Sequence, residues 1–113
     1  GVVSYSNELK MNLLGVGGET LKTYGAVSEQ TACEMALGCR ERLQTDFAVA
    51  TTGIAGPTGG TDEKPLGTVW IAVATPQGVS AQKYVFRTTR AQHQERTANQ
   101  ALFDLWQRLK TLQ

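Results

Sequence analysis

Two segments of the chain carry apolar residues at the spacing of a helix that buries one face. The first predicts a helix over 29–44, with Ser28 as its N-terminal cap, and the second predicts a long amphipathic helix over 90–112. The apolar residues that share one face of the second helix are Ala98, Ala101, Leu102, Leu105, Trp106, Leu109 and Leu112. Each helix therefore has a face to pack against a sheet.

Two shorter helices are predicted nearer the start of the chain, each bounded by residues that favour helix ends. Ser6 or Asn7 can cap a helix over 8–14, and Gly15 stops it. A second short helical segment covers 19–24 and ends at the glycine that follows, in the position just past a helix that favours this residue.

Short apolar runs elsewhere are typical of strands. Residues 2–5 have the composition of a strand end, and the run over 47–50 predicts a strand buried on both faces. The strongest strand signal lies at 68–74, and a turn then returns the chain over 79–86 as a hairpin. This order predicts an α/β fold in which a mixed β-sheet is covered by helices in a layered sandwich.

The segment 51–67 is predicted to be a loop, because it holds five glycines and two prolines. Glycine permits positive φ angles and close backbone approach, so consecutive amides here can converge on an anion, with threonine hydroxyls beside them. The spacing is neither that of a Walker A motif nor GxGxxG. A plain connector and an anion cradle both fit the composition, while the length of the loop and its place after a buried strand favour a ligand site.

Length, charge and cysteine spacing restrict the class of protein. Residues 1–113 form a single domain, whose 11 basic and 10 acidic side chains leave a formal net charge of +1. This balance argues against nucleic acid as a partner, and no apolar run reaches the ~18 residues that a membrane helix needs. Cys33 and Cys39 lie too far apart on a helix to bridge, and His93 is the single histidine. We expect a reduced, cytoplasmic protein without a metal site.

Tyr5 and Lys10 are the first candidates for chemistry. A corner between a strand and a helix can bring both side chains over one pocket. A lysine there can have a lowered pKa and act as a base, and a tyrosine hydroxyl can relay a proton. The alternative is an exposed lysine on a helix and a packed tyrosine.

Six ordered motifs run through essentially the whole chain and are more specific together than any single glycine pattern. They are Tyr5-Ser6-Asn7-Glu8-Leu9-Lys10, Leu14-Gly15-Val16, Glu19-Thr20-Leu21, Gly25-Ala26-Val27-Ser28-Glu29, Thr52-Gly53-Ile54-Ala55-Gly56-Pro57-Thr58-Gly59-Gly60 and Glu63-Lys64-Pro65-Leu66-Gly67-Thr68-Val69-Trp70. With these motifs the chain resembles the CinA C-terminal domain family, whose enzymes are nicotinamide-nucleotide amidases.

The resemblance implies hydrolysis of nicotinamide mononucleotide to nicotinate mononucleotide and ammonia, without a cofactor. The family uses a serine nucleophile with a lysine and a tyrosine, which fall on Lys10 and Tyr5. Arg90 is expected either to bind the substrate phosphate or to be a solvated side chain, since Thr88-Thr89 stands where the family often has Gly-Asp. The loop residues expected to contact the substrate are Thr52, Gly53, Ile54, Ala55, Gly56, Gly59 and Gly60.

One departure from the family pattern is important. The serine motif Thr-Ala-Glu-Ser-Cys-Thr-Gly-Gly, which precedes the Tyr/Lys segment in the family, does not occur in this sequence. We therefore expect an N-terminally truncated domain, inactive by itself, whose open sheet edge favours a homodimer. Ser28 is better explained as a helix cap, and Thr52 as a ligand contact, than either is as a nucleophile. The alternative function is a regulatory module that binds a nucleotide or a protein without catalysis.

Overall fold

The computed structural model describes residues 1–56, 59–62 and 64–111. Its helices are α1 (Asn7–Leu14), α2 (Gly18–Tyr24), α3 (Glu29–Leu43) and α4 (Arg90–Thr111). Its strands are β1 (Ala48–Gly53), β2 (Thr68–Thr75) and β3 (Gly78–Val85). The four predicted helices and the hairpin are thus confirmed, with small shifts at their ends.

The three strands form one sheet in the order β1-β2-β3. Ala72 in the central strand lies opposite Ala50 of β1 and opposite Ala81 of β3, and both pairings are antiparallel. Pro76 and Gln77 alone separate β2 from β3, which makes a tight hairpin.

Helices cover both faces of this sheet, as predicted. Side chains alternate along β2, so Ala72 and Ala74 pack towards α3, while Val69 and Ile71 pack towards α4. Small side chains dominate the first interface, and its alanines are Ala32, Ala36, Ala48, Ala50, Ala72 and Ala74. Phe86 and Ala101 complete the second core. The α/β layered fold is therefore confirmed.

Three details of the predicted fold are wrong. The described strands are all antiparallel, so they do not form a mixed sheet. Residues 2–5 belong to no strand, because no described strand lies beside them to complete a ladder. The strand predicted at 47–50 continues to Gly53 and is not buried on both faces, since Thr51 and Gly53 are exposed.

The apolar face of α4 is also less buried than its periodicity predicts. The buried residues of this helix are His93, Thr97 and Ala101, whereas Leu102 and Trp106 are exposed. Beyond Ala101 this helix contributes no described residue to the buried core. No helix in the described part of the chain combines the length and apolarity needed to cross a membrane. Cys33 and Cys39 are not bridged, as predicted.

Candidate active site

A cavity of about 550 Å³ lies beside β1, at the sheet edge that has no neighbouring strand among the described residues. The extended residues 2–5 form one wall, and side chains of α1, α3 and α4 form the others. Residues 49–53 of β1 contribute the base of the cavity. Its volume falls in the range of roughly 300–1,000 Å³ that is usual for small-molecule sites.

The position of Lys10 on this cavity follows from the way α1 begins and from the residues on its inner face. Ser6 caps the helix, with its Oγ accepting the backbone N–H of Leu9 at 3.1 Å. Lys10 and Leu14 are four residues apart, hence on one face, and they are the buried residues of α1. Gly15 ends the helix in the left-handed region, at φ 71°.

A glycine in the middle of α3 sets the distance between α1 and α3. A Cβ atom at Gly38 would lie 1.6 Å from the backbone oxygen of Leu14. Any side chain at this position would push the end of α1 away from α3, since protein interiors hold no spare volume at such a contact. Gly38 therefore fixes how closely the helix that carries Lys10 approaches the cavity.

The amine of Lys10 is buried yet lines the cavity, with the residue 6 % exposed. Its Nζ donates a hydrogen bond to the backbone oxygen of Ser4 at 2.8 Å. Burial lowers the pKa of this amine below its ordinary value, because the charged form loses hydration. None of the described residues that line the cavity is acidic, so no carboxylate there counters this effect. The lowered pKa makes this amine easier to deprotonate, which is the direction that a proton-accepting role requires.

Tyr5 lines the same cavity and is 86 % exposed, so ligand and water can reach its hydroxyl. The two side chains that the sequence analysis pairs are thus on one cavity. The alternative of an exposed lysine and a packed tyrosine is wrong, because the burial of the two residues is the reverse.

Thr52 lines the cavity from within β1. It therefore belongs to the strand, and its assignment to a loop over 51–67 was wrong. Its side chain is buried, and Oγ1 donates to the backbone oxygen of Ala26 at 2.7 Å. This bond ties β1 to the segment that precedes α3. Because its hydroxyl proton is donated to Ala26, Thr52 can offer a ligand the lone pair of its oxygen but not that proton.

The loop residues divide into two sets. Gly53 and Ala55 line the cavity with Thr52, whereas Ile54, Gly56, Gly59 and Gly60 do not. The backbone of Ile54 is used within the protein, since its N–H donates to Thr68 at 2.8 Å and its oxygen accepts from Gly67 at 2.7 Å. A contact between these four residues and substrate stays a prediction that this cavity does not itself support.

The glycines outside the cavity have a conformational reason of their own. Gly56 and Gly59 have φ angles of 93° and 105°, which side chains disfavour. A Cβ atom at Gly60 would lie 2.5 Å from the backbone nitrogen of Leu66. These residues therefore shape the loop, whatever it binds. Pro57, Thr58 and Glu63, which belong to the family motifs, lie outside the described residues.

Arg90 is the first residue of α4 and lines the cavity. Its Nη1 donates to the backbone oxygen of Gly56 at 2.8 Å. The guanidinium therefore holds the glycine loop and brings a positive charge to the cavity. Arg90 is exposed, so its other donors meet solvent, and binding of the substrate phosphate stays a prediction.

Further residues of α4 line the cavity and were not identified from the sequence. They are His93, Gln94, Thr97 and Ala98. Their spacing from Arg90 places them on one side of the helix, and this signal could have found them. His93 is buried, with Nε2 2.9 Å from the backbone oxygen of Gly67, which indicates a structural role.

Comparisons with known proteins agree with the motifs. A profile of the CinA C-terminal domain family matches residues 1–109. The chain belongs to the CinA C-terminal domain family. A CinA-like protein of Chlorobium chlorochromatii is 54% identical over 112 residues, which are 97% of this chain and 26% of the relative. A CinA-like protein of Leptospira biflexa is 47% identical over 97% of this chain and 27% of its own length. This CinA domain spans about a quarter of the length of these curated relatives.

Solved structures share the fold of this CinA domain. The competence damage-inducible protein A (ComA) of Klebsiella pneumoniae superposes with a TM-score of 0.94 at 36% identity, covering 100% of this chain and 70% of that one. The competence/damage inducible protein CihA of Agrobacterium tumefaciens gives a TM-score of 0.87 at 46% identity, over 91% of this chain and 64% of that one. These names refer to competence and damage and state no reaction.

Proposed function

We propose that this CinA domain is part of an amidase that hydrolyses the carboxamide of nicotinamide mononucleotide to nicotinate mononucleotide and ammonia. The observation that carries the proposal is the buried amine of Lys10 on a cavity without acidic residues among those described, shared with Tyr5 and Arg90. The guanidinium of Arg90 brings a fixed positive charge to the cavity and favours an anionic ligand, which a mononucleotide phosphate provides.

The same cavity offers an apolar surface for the pyridine ring. The apolar residues on its walls include Leu14, Met35, Val49, Ala50 and Val69. Binding sites for small molecules combine such a surface with a few charged groups that fix the orientation of the ligand. The arrangement therefore suits a ligand with a flat ring at one end and a phosphate at the other.

The chemistry is acyl transfer to a serine. The serine oxygen attacks the carboxamide carbon as its proton passes to the neutral amine of Lys10. The C–N bond breaks, the proton moves from Lys10 to the leaving nitrogen, and ammonia departs. Water then attacks the nicotinoyl ester and passes one proton to Lys10, and the ester C–O bond breaks as the serine oxygen takes that proton back. The carboxylic acid that forms loses its own proton to solvent and leaves as the carboxylate. We assign the hydroxyl of Tyr5, an exposed residue, to proton relay or to orienting the serine.

The serine is expected from polypeptide outside these 113 residues. Ser28 is a cap: its Oγ accepts from the N–H of Thr31 at 3.2 Å and donates to the backbone oxygen of Gly25 at 2.9 Å. Thr52 is committed to Ala26. Because both hydroxyl protons have partners, neither residue is our nucleophile. We propose that the external serine lies between Lys10 and the edge of β1. We also propose that the protein forms a homodimer.

Ammonia release from nicotinamide mononucleotide tests the proposal, using a polypeptide that joins this sequence to the upstream Thr-Ala-Glu-Ser-Cys-Thr-Gly-Gly motif. Lys10→Met is expected to lower kcat/KM at least about 100-fold, since general-base catalysis contributes on the order of 10²–10⁴. In the unsubstituted protein the rate should rise with pH through a pKa below 10.5. The 113 residues alone should release no ammonia.

Lys22→Met is the matched control, because Lys22 is an exposed lysine in the last turn of α2. It should leave kcat/KM within about twofold. A loss confined to Lys10→Met, with an unchanged circular dichroism spectrum, supports the proposal. Nucleotide binding without any ammonia release, despite the serine, would instead favour the regulatory module.

A further inference from the structure

We infer that Arg90 is a positioning residue as well as an anion ligand, and that it couples the conformation of the glycine loop to occupancy of the cavity by a phosphate group. The inference rests on the proposed function for its substrate. It begins from the hydrogen bond between Nη1 of Arg90 and the backbone oxygen of Gly56. A guanidinium holds several donors in one plane, so a single side chain can bind a carbonyl and a phosphate together.

The glycine loop is fixed at a few points on the protein. Ile54 is bonded to the sheet through Thr68 and Gly67. Lys64 donates from Nζ to the backbone oxygen of Tyr24 at 2.6 Å, on the side of α2. The hydrogen bond from Arg90 differs from these contacts, because the Arg90 side chain also lines the cavity.

Gly56, which accepts the hydrogen bond from Arg90, has a backbone conformation that favours glycine. Gly56 is buried and has a φ of 93°, so its backbone oxygen is presented to Arg90 by a conformation that other residues rarely adopt. Ala55, its neighbour, lines the cavity. Movement of Gly56 therefore moves part of the cavity wall.

A phosphate that binds the remaining guanidinium donors would restrain the Arg90 side chain in the position that also holds Gly56. An ordered arginine then has less conformational freedom to lose on contact with the loop, and the two contacts stabilise each other. Such coupling is reciprocal: the phosphate strengthens the loop tie to the same extent that the loop tie strengthens phosphate binding. Lysine offers a point charge on a flexible stem and is not expected to serve both partners.

Amide hydrogen exchange tests the coupling without turnover. Inorganic phosphate should slow exchange of the Ile54 and Gly67 amides, next to the tie, about fivefold or more in the unsubstituted protein. Arg90→Ala should exchange faster and lose the effect of phosphate, and Arg90→Lys should bind phosphate without slowing exchange. Faster exchange with phosphate, or no change in the unsubstituted protein, would overturn the inference.

Two control variants separate charge from loop anchoring. Arg87→Ala removes the same charge from an exposed residue that does not line this cavity, so the phosphate effect should persist. Lys64→Met removes the tie to Tyr24, so exchange should be faster while phosphate still slows it. Loss of the phosphate effect in either variant would show that the coupling does not pass through Arg90.

Turnover separates the two roles of Arg90. A residue that only binds phosphate would affect nicotinamide mononucleotide and leave nicotinamide riboside, which lacks the phosphate, unchanged. A residue that only positions the loop would affect both equally. We expect Arg90→Ala to lower kcat/KM for the riboside about fivefold and for the mononucleotide about 100-fold, and either simpler pattern would contradict the coupling. If neither substrate releases ammonia in the unsubstituted protein, the proposed function fails, while hydrogen exchange still decides the coupling.

Discussion

On the α3 side of the sheet, the amine of Lys10 lies beside an open cavity and donates to the backbone oxygen of Ser4. On the α4 side, the hydroxyl of Tyr84 lies in a network of polar side chains. It is 2.9 and 3.1 Å from the two carboxylate oxygens of Asp104, and Gln100 donates to the same carboxylate at 2.9 Å. Both groups have perturbed acidity, yet their surroundings differ.

The causes of the two pKa shifts explain what each group can do. Burial lowers the pKa of Lys10. Burial, followed by the hydrogen bond and charge of Asp104, raises the pKa of Tyr84 to about 12. The tyrosine proton is held by an acceptor inside the protein, and Tyr84 does not line the cavity beside β1. A shifted pKa therefore indicates chemistry only where the group also meets a space that a substrate can enter.

The largest expected effect comes from Gly38→Ala, which disturbs the Lys10 region and leaves the Tyr84 region intact. The new methyl group would meet the backbone oxygen of Leu14 at 1.6 Å, so α1 must move away from α3. We expect the free energy of unfolding to fall by about 3 kcal/mol or more, at or above the upper end of overpacking costs. Urea unfolding measures it, and ammonia release should fall with it because Lys10 moves with α1.

Gly18→Ala provides the control for this substitution. Gly18 is helical, and a Cβ atom there would make an ordinary 3.6 Å contact with the sulfur of Met11. Alanine favours helices over glycine, so stability should stay equal or rise slightly. A small effect of Gly38→Ala, similar to that of Gly18→Ala, would show that the α1–α3 contact does not set the position of Lys10.

Much of the fold was predictable because local chemistry and periodicity agree in this sequence. Ser6 and Ser28 cap α1 and α3, and Gly15 and Gly25 end α1 and α2, as their residue types predict. The antiparallel pairing of β2 and β3 follows from the predicted hairpin, but the direction of β1 was not predictable from its short apolar run. The exposed end of α4 was missed for a related reason: periodicity identifies an apolar face but not the length of the surface that covers it.

The candidate site was predictable where side chains follow a motif, and less so where packing decides. Tyr5 and Lys10 line one cavity, but only the fold shows that Lys10 is the buried member of the pair. The tie from Arg90 to Gly56 joins residues 34 positions apart, and no local pattern indicates it. The role of Gly38 was also not predicted, because the sequence does not show that the backbone of Leu14 lies against this glycine.

A smaller effect is expected from Tyr84→Phe, which removes the tyrosine hydroxyl from the polar network on the α4 side. The substitution deletes the hydroxyl while Asp104 keeps its hydrogen bond from Gln100. We expect a loss of about 1 kcal/mol in the free energy of unfolding, the usual net value of one hydrogen bond, with amidase activity within about twofold of the unsubstituted protein. Tyr24→Phe, at an exposed tyrosine, should cost less. A large loss of activity in Tyr84→Phe would remove the distinction between the two regions.

The smallest effect is the pH dependence of stability, in which the two regions have opposite signs. The folded state raises the pKa of Tyr84 from 10.0 to about 12, so it binds the phenol proton more tightly than the unfolded chain does. Its contribution is complete below pH 10 and is lost as pH rises towards about 12. The folded state lowers the pKa of Lys10, so stability instead rises with pH from that pKa up to 10.5. Urea unfolding at successive alkaline pH values should show a weaker decline in Tyr84→Phe and the loss of the rise in Lys10→Met. If the free energy of unfolding depends on pH in the same way in all three proteins, then folding does not shift the pKa of either side chain.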